Sequence, residues 1–349
     1  MILCFLKRIR AIKPHIPVGV FFIALLVIGT GISKDYGVHW DEFYNQHVGD
    51  RWGSYALNVV RFKSLSVPLP PPDYDNHDYI HGPVFEIFLV YLADICRLKD
   101  PRDIILMRHL GVFLLFYLGL IFFYLLCKRH FQDWRLALLG CVFLVLSPRI
   151  FADAFYNSVD IAFLSIFIIC LYTMVLMLDQ RTLLSAFIHA LTCSILIDIR
   201  FIGLYLPVVT LIFLIFETTR SCTIRNWRTF LGAFVVYIIF LCILTVFLNP
   251  LMWNDPWGSF ITTISYLHFK GYILTHYMGQ TKFCTSMPWH YGLIWILSST
   301  PLIYLGFFII GIFVSIKLFL KSEIVFFRTK RNTLIFLVCF IFRIHISVI

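Results

Sequence analysis

The sequence predicts an all-α polytopic membrane protein with about nine transmembrane helices. The chain of 349 residues is 60% hydrophobic and only 14% charged, whereas a typical soluble domain is about half apolar and about a quarter charged. The mean hydropathy is +0.85, and the apolar residues fall in long runs. A soluble fold of this size could not remove that much apolar surface from water. The composition therefore excludes a cytosolic enzyme, a disordered chain and a secreted disulfide scaffold.

The membrane spans are predicted from runs of apolar residues, since a membrane helix needs about 20 of them. The predicted spans are residues 16–33, 104–127, 136–147, 159–178, 183–197, 201–216, 229–248, 290–316 and 333–349. A tenth run, 84–96, is short and contains Glu86 and Asp94. These properties favour an interfacial or re-entrant helix over a span. Residues 34–103 then form a long first outer loop that bears interfacial helices.

The basic residues indicate the orientation of the chain. If the run 84–96 does not cross the membrane, most clusters of basic residues fall on the same side of the membrane as the N-terminus, as the positive-inside rule requires. These clusters lie at 7–13, 128–135, 220–228 and 317–331. We therefore expect a cytoplasmic N-terminus and basic residues that contact membrane lipids. The net charge of +10 does not indicate nucleic-acid binding, because no soluble basic face is visible. We expect one membrane domain over 1–349 without a soluble C-terminal domain.

The acidic residues are concentrated in the first outer loop, which holds more than half of the 19 carboxylates. Asp41 and Glu42 follow the first span directly, flanked by Trp40 and Tyr44. Aromatic side chains of this kind suit the membrane interface. A second acidic group, Asp73, Asp75 and Asp78, follows a proline run and is interleaved with Asn76, His77 and His81. It is a weaker candidate for a metal site, since its spacing matches no zinc or calcium motif.

Two further outer segments carry candidate residues. The connection at 147–160 contains Arg149 and ends in Asp160, whose carboxylate is also favoured simply by its place at a helix N-terminus. The loop at 249–289 is rich in aromatic residues and ends at Trp289, followed by His290. Such a loop suits stacking on sugar faces, and an aromatic belt at the membrane surface is the alternative interpretation. Between two spans, Asp198 and Arg200 are predicted to form an ion pair.

Over about the first 180 residues, an ordered set of short motifs resembles the polyprenyl-phosphate-sugar-dependent glycosyltransferases of the GT-C fold. This superfamily includes the protein O-mannosyltransferases and the lipid A aminoarabinose transferases. The matching motifs are Asp41-Glu42, His81-Gly82-Pro83, Met107-Arg108-His109-Leu110, Lys128-Arg129-His130-Phe131, Ala137-Leu138-Leu139, Ser147-Pro148 and Asp160. Two features depart from the family. His81 stands where the aminoarabinose type has a lysine, and the usual C-terminal spans or soluble domain are not found.

The resemblance implies transfer of a sugar from a polyprenyl-phosphate donor to an acceptor hydroxyl, with inversion, outside a bacterial inner membrane. The acceptor would be a glycan, a lipid or a protein. Asp41 is then the expected base, Glu42 orients it or the acceptor, and Asp160 holds the acceptor or a divalent cation. No other cofactor is expected. His81 and Arg149 are the expected contacts for the phosphate. The residues expected to stack on the acceptor or the sugar are Trp40, Tyr44, Trp289 and His290.

Three alternatives stay open from the sequence: a transporter or flippase, a non-catalytic scaffold or truncated paralogue, and a different lipid-linked enzyme such as a ligase. A transporter or flippase would show paired charges in the middle of its spans and two repeated halves. The candidate intramembrane charges are Arg108, Asp198 and Arg200, and no internal repeat is visible in the sequence. A truncated, non-catalytic paralogue would tolerate the loss of Asp41.

Overall fold

The computed structural model describes residues 15–62, 81–220, 227–267, 274–283 and 286–321. The chain divides into two compact units, Met1–Leu267 and His268–Ile349. The described residues are mostly helical, which confirms the predicted helical membrane fold class. The helices of the first unit are α1 His15–Ile32, α2 Glu42–Phe62, α3 Val84–Ile95, α4 Pro101–Phe131, α5 Trp134–Val145, α6 Pro148–Tyr156, α7 Asp160–Gln180, α8 Leu183–Ile199, α9 Tyr205–Arg220, α10 Trp227–Leu248 and α11 Pro256–Leu267.

Local signals in the sequence set the helix ends. Asp100 caps α4 by accepting a hydrogen bond from the Arg102 N–H at 2.8 Å, and Asp133 caps α5 in the same way. The side chain of Thr182 accepts from the backbone of Ser185 to begin α8. Each of these caps satisfies a backbone donor that has no partner within its helix.

Helix α7 lies at the centre of the first unit. It packs between α4 and α8, and α8 in turn packs against α10. Most of the side chains of α7 are buried, including Cys170 and Met174, whereas α1 has only Leu25 and Gly29 buried. An apolar helix that is buried all round is typical of the core of a helical bundle.

Helices α2 and α3 occupy the predicted first outer loop and pack against each other. The predicted interfacial run 84–96 is observed as α3, which buries Phe85, Glu86, Leu89 and Ala93. Tyr91 of α3 donates a hydrogen bond to the Gly53 carbonyl of α2 at 2.9 Å. The pair therefore forms a helical layer beside the apolar bundle.

The second unit contains a β-hairpin and two helices. Strands β1 Leu274–Tyr277 and β2 Gln280–Phe283 are antiparallel, joined through Met278 and Gly279, which have positive φ as hairpin turns require. Helices α12 Tyr291–Ser299 and α13 Leu302–Lys321 follow. The two helices meet at a bend of 114°, so the predicted span 290–316 is not one continuous helix. The break falls at Thr300, which is extended because it precedes Pro301.

The number of spans is smaller in the structure than in the prediction. Within the described residues, four helical segments are long and apolar enough to cross a membrane, or six if each bent pair is one span. The four are His15–Asp35, Pro101–Phe131, Asp160–Gln180 and Leu231–Leu248. Helix α6 turns 70° away from α5 at Pro148. The count of nine stays a prediction, and 333–349 lies outside the described residues.

Candidate functional site

A buried carboxylate–histidine contact joins the start of α2 to α4. Glu42 Oε1 lies 2.9 Å from His109 Nε2, and both side chains are buried. The other oxygen, Oε2, accepts the His39 N–H at 2.9 Å. His109 Nδ1 lies 3.3 Å from the carbonyl oxygen of Ser33, at the end of α1. Three segments of the chain are therefore tied together at one end of the bundle.

Asp41 and Glu42 are adjacent in sequence but face different surroundings. While Glu42 is buried, 44% of the Asp41 side chain is exposed. Asp41 Oδ2 lies 3.8 Å from His39 Nδ1, and the His39 ring stacks on Tyr156 of α6 with 5.1 Å between the ring centroids. The structure thus leaves the Asp41 carboxylate partly exposed and buries the Glu42 carboxylate, which fixes the turn.

Helix α6 lies beside this turn and supplies two charged groups. Arg149 is largely exposed, with its Nε 3.8 Å from Asp153 Oδ2. Burial raises the pKa of the Asp153 carboxyl, while its hydrogen bond with Tyr156 and the charge of Arg149 oppose that rise. The strong amphipathicity of α6 is typical of a helix that lies along a membrane surface.

A buried ion pair lies next to the Glu42–His109 contact. Arg108 of α4 forms an ion pair with Glu86 of α3, and Glu86 also accepts a hydrogen bond from Ser158. Asn45 of α2 donates to Ser158 Oγ at 3.3 Å. This pairing matters because a buried charge is tolerated only when it is compensated.

Arg108 also borders a small cavity. Its volume is about 60 Å³, and its polar lining residues are Gln46, Asp50, Asp94 and Arg108. Arg108 Nε and Nη1 are buried and make no hydrogen bond to any described residue. A polar cavity of this volume has room for water, which would satisfy the two donors.

Asp160 is held by two partners at the start of α7. Its backbone N–H donates to Asn157 Oδ1 at 2.9 Å, and the Asn157 amide donates back to Asp160 Oδ2 at 3.0 Å. Arg200, at the end of α8, pairs with Asp160 Oδ1. The predicted Asp198–Arg200 pair is therefore wrong, because the extended backbone at Arg200 directs its side chain towards α7.

Asp198 instead holds the segment that leads into α3. Its backbone carbonyl accepts the Gly82 N–H at 2.7 Å, and its Oδ2 accepts the Val84 N–H at 2.8 Å. His81 therefore lies directly before a segment that is bound to the end of α8.

The predicted stacking residues are found in different surroundings. Trp40 is 82% exposed and lies beside His39, which makes it available to a ligand. Tyr44 packs on a buried cluster of Val48, Trp52, Tyr55 and Leu251, so its ring has a packing role. Trp289, 90% exposed, and His290 belong to the second unit, where the His290 ring neighbours Tyr277.

Within the described residues, no group of three or more His, Cys, Asp or Glu side chains is arranged to hold a metal ion. The weaker metal candidate at Asp73, Asp75, Asp78 and His77 lies outside the described residues.

These contacts bring specific helix ends together. The ends of α1 and α8 meet the starts of α2, α4 and α7, and the opposite end of α4 meets the end of α7 through Arg129 and Asp179. The buried acids Glu42, Glu86 and Asp198 and the buried Arg108 therefore lie at the end of the bundle where α2, α4 and α7 begin. Comparison of the chain with protein families, with curated proteins and with solved structures finds no match.

Several residues at this end of the bundle were not predicted as site residues. Glu86, His109, Ser158 and Arg200 join the cluster, and the contacts Glu86–Ser158 and Arg200–Asp160 connect positions 72 and 40 residues apart. The one available signal was the presence of charge inside apolar runs, as at Arg108 and His109. Such residues mark functional or paired positions in membrane proteins.

Proposed function

We propose that the protein is a membrane glycosyltransferase that moves a sugar from a polyprenyl-phosphate donor to an acceptor hydroxyl, with inversion at the anomeric carbon. One observation carries the proposal. Asp41 presents an exposed carboxylate on a turn that the buried Glu42–His109 contact holds in place. A base at a fixed position, at the polar end of an apolar bundle, is what transfer from a membrane-bound donor requires.

The proposed reaction uses Asp41 as the base. The acceptor oxygen forms a bond to the anomeric carbon while Asp41 takes the hydroxyl proton. The bond between the anomeric carbon and the phosphate oxygen breaks, and the lipid phosphate leaves with that electron pair. A positioned base contributes about 10²–10⁴-fold to such a step. Glu42 acts by orienting the Asp41 turn, since its own carboxylate is buried.

The leaving phosphate needs positive or hydrogen-bonding groups. We assign this role to His81 and Arg149, and we add Arg200. Arg149 is exposed, and Arg200 retains a buried Nε without a hydrogen bond to any described residue. Guanidinium groups suit phosphate because they donate two parallel hydrogen bonds. Asp160 would hold Arg200 in place and contact the acceptor, and Trp40 would stack on a sugar ring.

The transporter alternative is less well supported by the positions of the charges. Arg108 and His109 lie in the third turn of α4, and the buried Arg108–Glu86 ion pair lies at that end of the bundle. A transporter binds its substrate near the middle of the membrane. We propose instead that the cluster faces the outside of a bacterial inner membrane, with the N-terminus cytoplasmic.

The test is transfer from a radiolabelled polyprenyl-phosphate sugar into endogenous acceptors, with membranes that contain the wild type, Asp41→Asn or Asp35→Asn. Asp35 is an exposed acid close to Asp41 in the chain and serves as the matched control. We expect transfer by the wild type and by Asp35→Asn only. Turnover by a folded Asp41→Asn protein would reject the base assignment. No transfer by inserted wild-type protein from any of a panel of sugars would reject the function.

A further inference from the structure

We infer that Asp198 is a positioning residue that holds His81 in place, by binding the backbone that connects His81 to α3. The inference rests on the proposed function only in the role of His81 as a contact for the donor phosphate. The residues between His81 and α3 offer few hydrogen-bond donors. Pro83 has no N–H. The Asp198 backbone carbonyl accepts the Gly82 N–H at 2.7 Å, and the Asp198 side chain accepts the Val84 N–H at 2.8 Å.

The approach of the two segments is close enough to require glycine at position 82. A Cβ atom on residue 82 would lie 2.6 Å from Asp198 Oδ1 and would also collide with the Asp198 carbonyl oxygen. No real Cβ contact is that short. The backbone beside His81 is therefore seated directly on Asp198, and a larger residue at position 82 would displace it.

Burial raises the pKa of the Asp198 carboxyl to about 8, and of its two oxygens only Oδ2 has a hydrogen-bond partner among the described residues. Asp198 is only 2% exposed, and Arg200 pairs with Asp160 instead of with Asp198. Its Oδ2 accepts the first N–H of α3, so Asp198 caps that helix from another helix. A carboxylate is favoured at a helix N-terminus by the unpaired N–H groups and the helix dipole.

This arrangement has a consequence for phosphate binding. Because Asp198 already accepts the Val84 N–H, an anionic ligand cannot use that N–H group of α3, as phosphates often do at helix N-termini. On this inference, a donor phosphate near α3 is contacted by a side chain. The position of the His81 side chain depends on the segment that Asp198 holds.

A double-mutant cycle tests the inference on the transfer reaction. The variants are Asp198→Ala, Asp198→Asn, His81→Ala and the double variant Asp198→Ala/His81→Ala. We expect Asp198→Ala to raise the donor KM about tenfold with kcat changed less than about twofold. Asp198→Asn should remain close to the wild type, because its amide oxygen still accepts the Val84 N–H. The double variant should be no worse than the poorer single variant, since residues acting through one contact are not additive.

A second measurement does not depend on activity. His81→Cys is labelled with a maleimide, and labelling at position 81 is quantified by peptide mass spectrometry. We expect Asp198→Ala to accelerate labelling several-fold and Asp198→Asn to leave it unchanged. Asp133→Ala, which removes the corresponding cap from α5, is the matched control and should have no effect.

The two measurements separate the possible failures. Additive effects in the cycle, or labelling that Asp198→Ala does not change, would overturn the inference. If the wild type transfers no sugar, the proposed function fails and the labelling rates alone decide whether Asp198 positions residue 81.

Discussion

Glu42 and His109 are in contact, with 2.9 Å between Oε1 and Nε2, and neither side chain is accessible to solvent. The contact joins the first residue of α2 to the third turn of the long helix α4. His109 also contacts the Ser33 carbonyl, so the turn that carries Asp41 is held from both sides. The exposed carboxylate therefore has a rigid support, as catalytic groups require.

Glu42→Ala is expected to lower the free energy of unfolding by about 1–3 kcal/mol, because it leaves the buried His109 ring and the His39 N–H without the carboxylate oxygens that contact them. The measurement is unfolding in detergent by increasing SDS. Asp41→Asn, at the exposed neighbouring position, is the control and should unfold like the wild type. Equal stability of Glu42→Ala and the wild type would show that the contact does not hold the turn.

Gly29→Ala is expected to destabilise the protein by about 1–3 kcal/mol through overpacking. A Cβ atom on Gly29 of α1 would collide with the ring of Phe113 on α4. Gly31, in the same helix, has nothing within 4 Å of the corresponding position. Gly31→Ala is therefore a matched control that should be neutral or slightly stabilising, since alanine favours helix by about 1 kcal/mol. Thermal unfolding of the two variants gives the comparison, and equal midpoints would contradict the packing of α1 on α4.

Asp160→Asn is expected to lower kcat/KM for transfer at least about tenfold, a loss of about 1.4 kcal/mol of transition-state stabilisation. The amide can still bond Asn157 but loses the charge that pairs with Arg200. Thermal stability should change little, and this separates the functional role from a helix cap. Asp133→Asn, a change at a capping acid on another helix, is the control for activity. Unchanged kinetics would return Asp160 to a purely structural role.

Asp153→Asn is expected to stabilise the protein near neutral pH and to have no effect near about pH 4, the ordinary pKa of aspartate. Burial raises the pKa of Asp153 in the folded protein, so the native state retains a proton that the unfolded chain has released. The stability linked to that proton is present at low pH and is lost as the pH rises through the folded pKa. The asparagine variant carries no such charge at any pH.

Thermal midpoints across the pH range test this prediction, with Asp35→Asn as the exposed control that should follow the wild type. A constant difference between Asp153→Asn and the wild type at all pH values would show that the titration of Asp153 is not responsible.

The sequence by itself determined the fold class and many helix ends, because these follow from local chemistry. Apolar runs predicted the long helices α4, α7 and α10. The short run at 84–96 was expected to lie outside the spans and is observed as α3. Where a proline follows an apolar run, as at Pro148, the helix bends. The sequence did not predict the bend at Pro301. The apolar run continues through that proline, and the length of the run favoured a single span.

Only the tertiary structure decided which charged groups meet. Asp198 and Arg200 are two residues apart, yet one binds the start of α3 and the other binds Asp160. The neighbours Asp41 and Glu42 are likewise divided between solvent and the interior. Partners in sequence need not be partners in space, because adjacent residues at a helix end point in different directions. Buried charges pair with whatever group the packing of distant helices brings within reach, and the chain order does not contain that information.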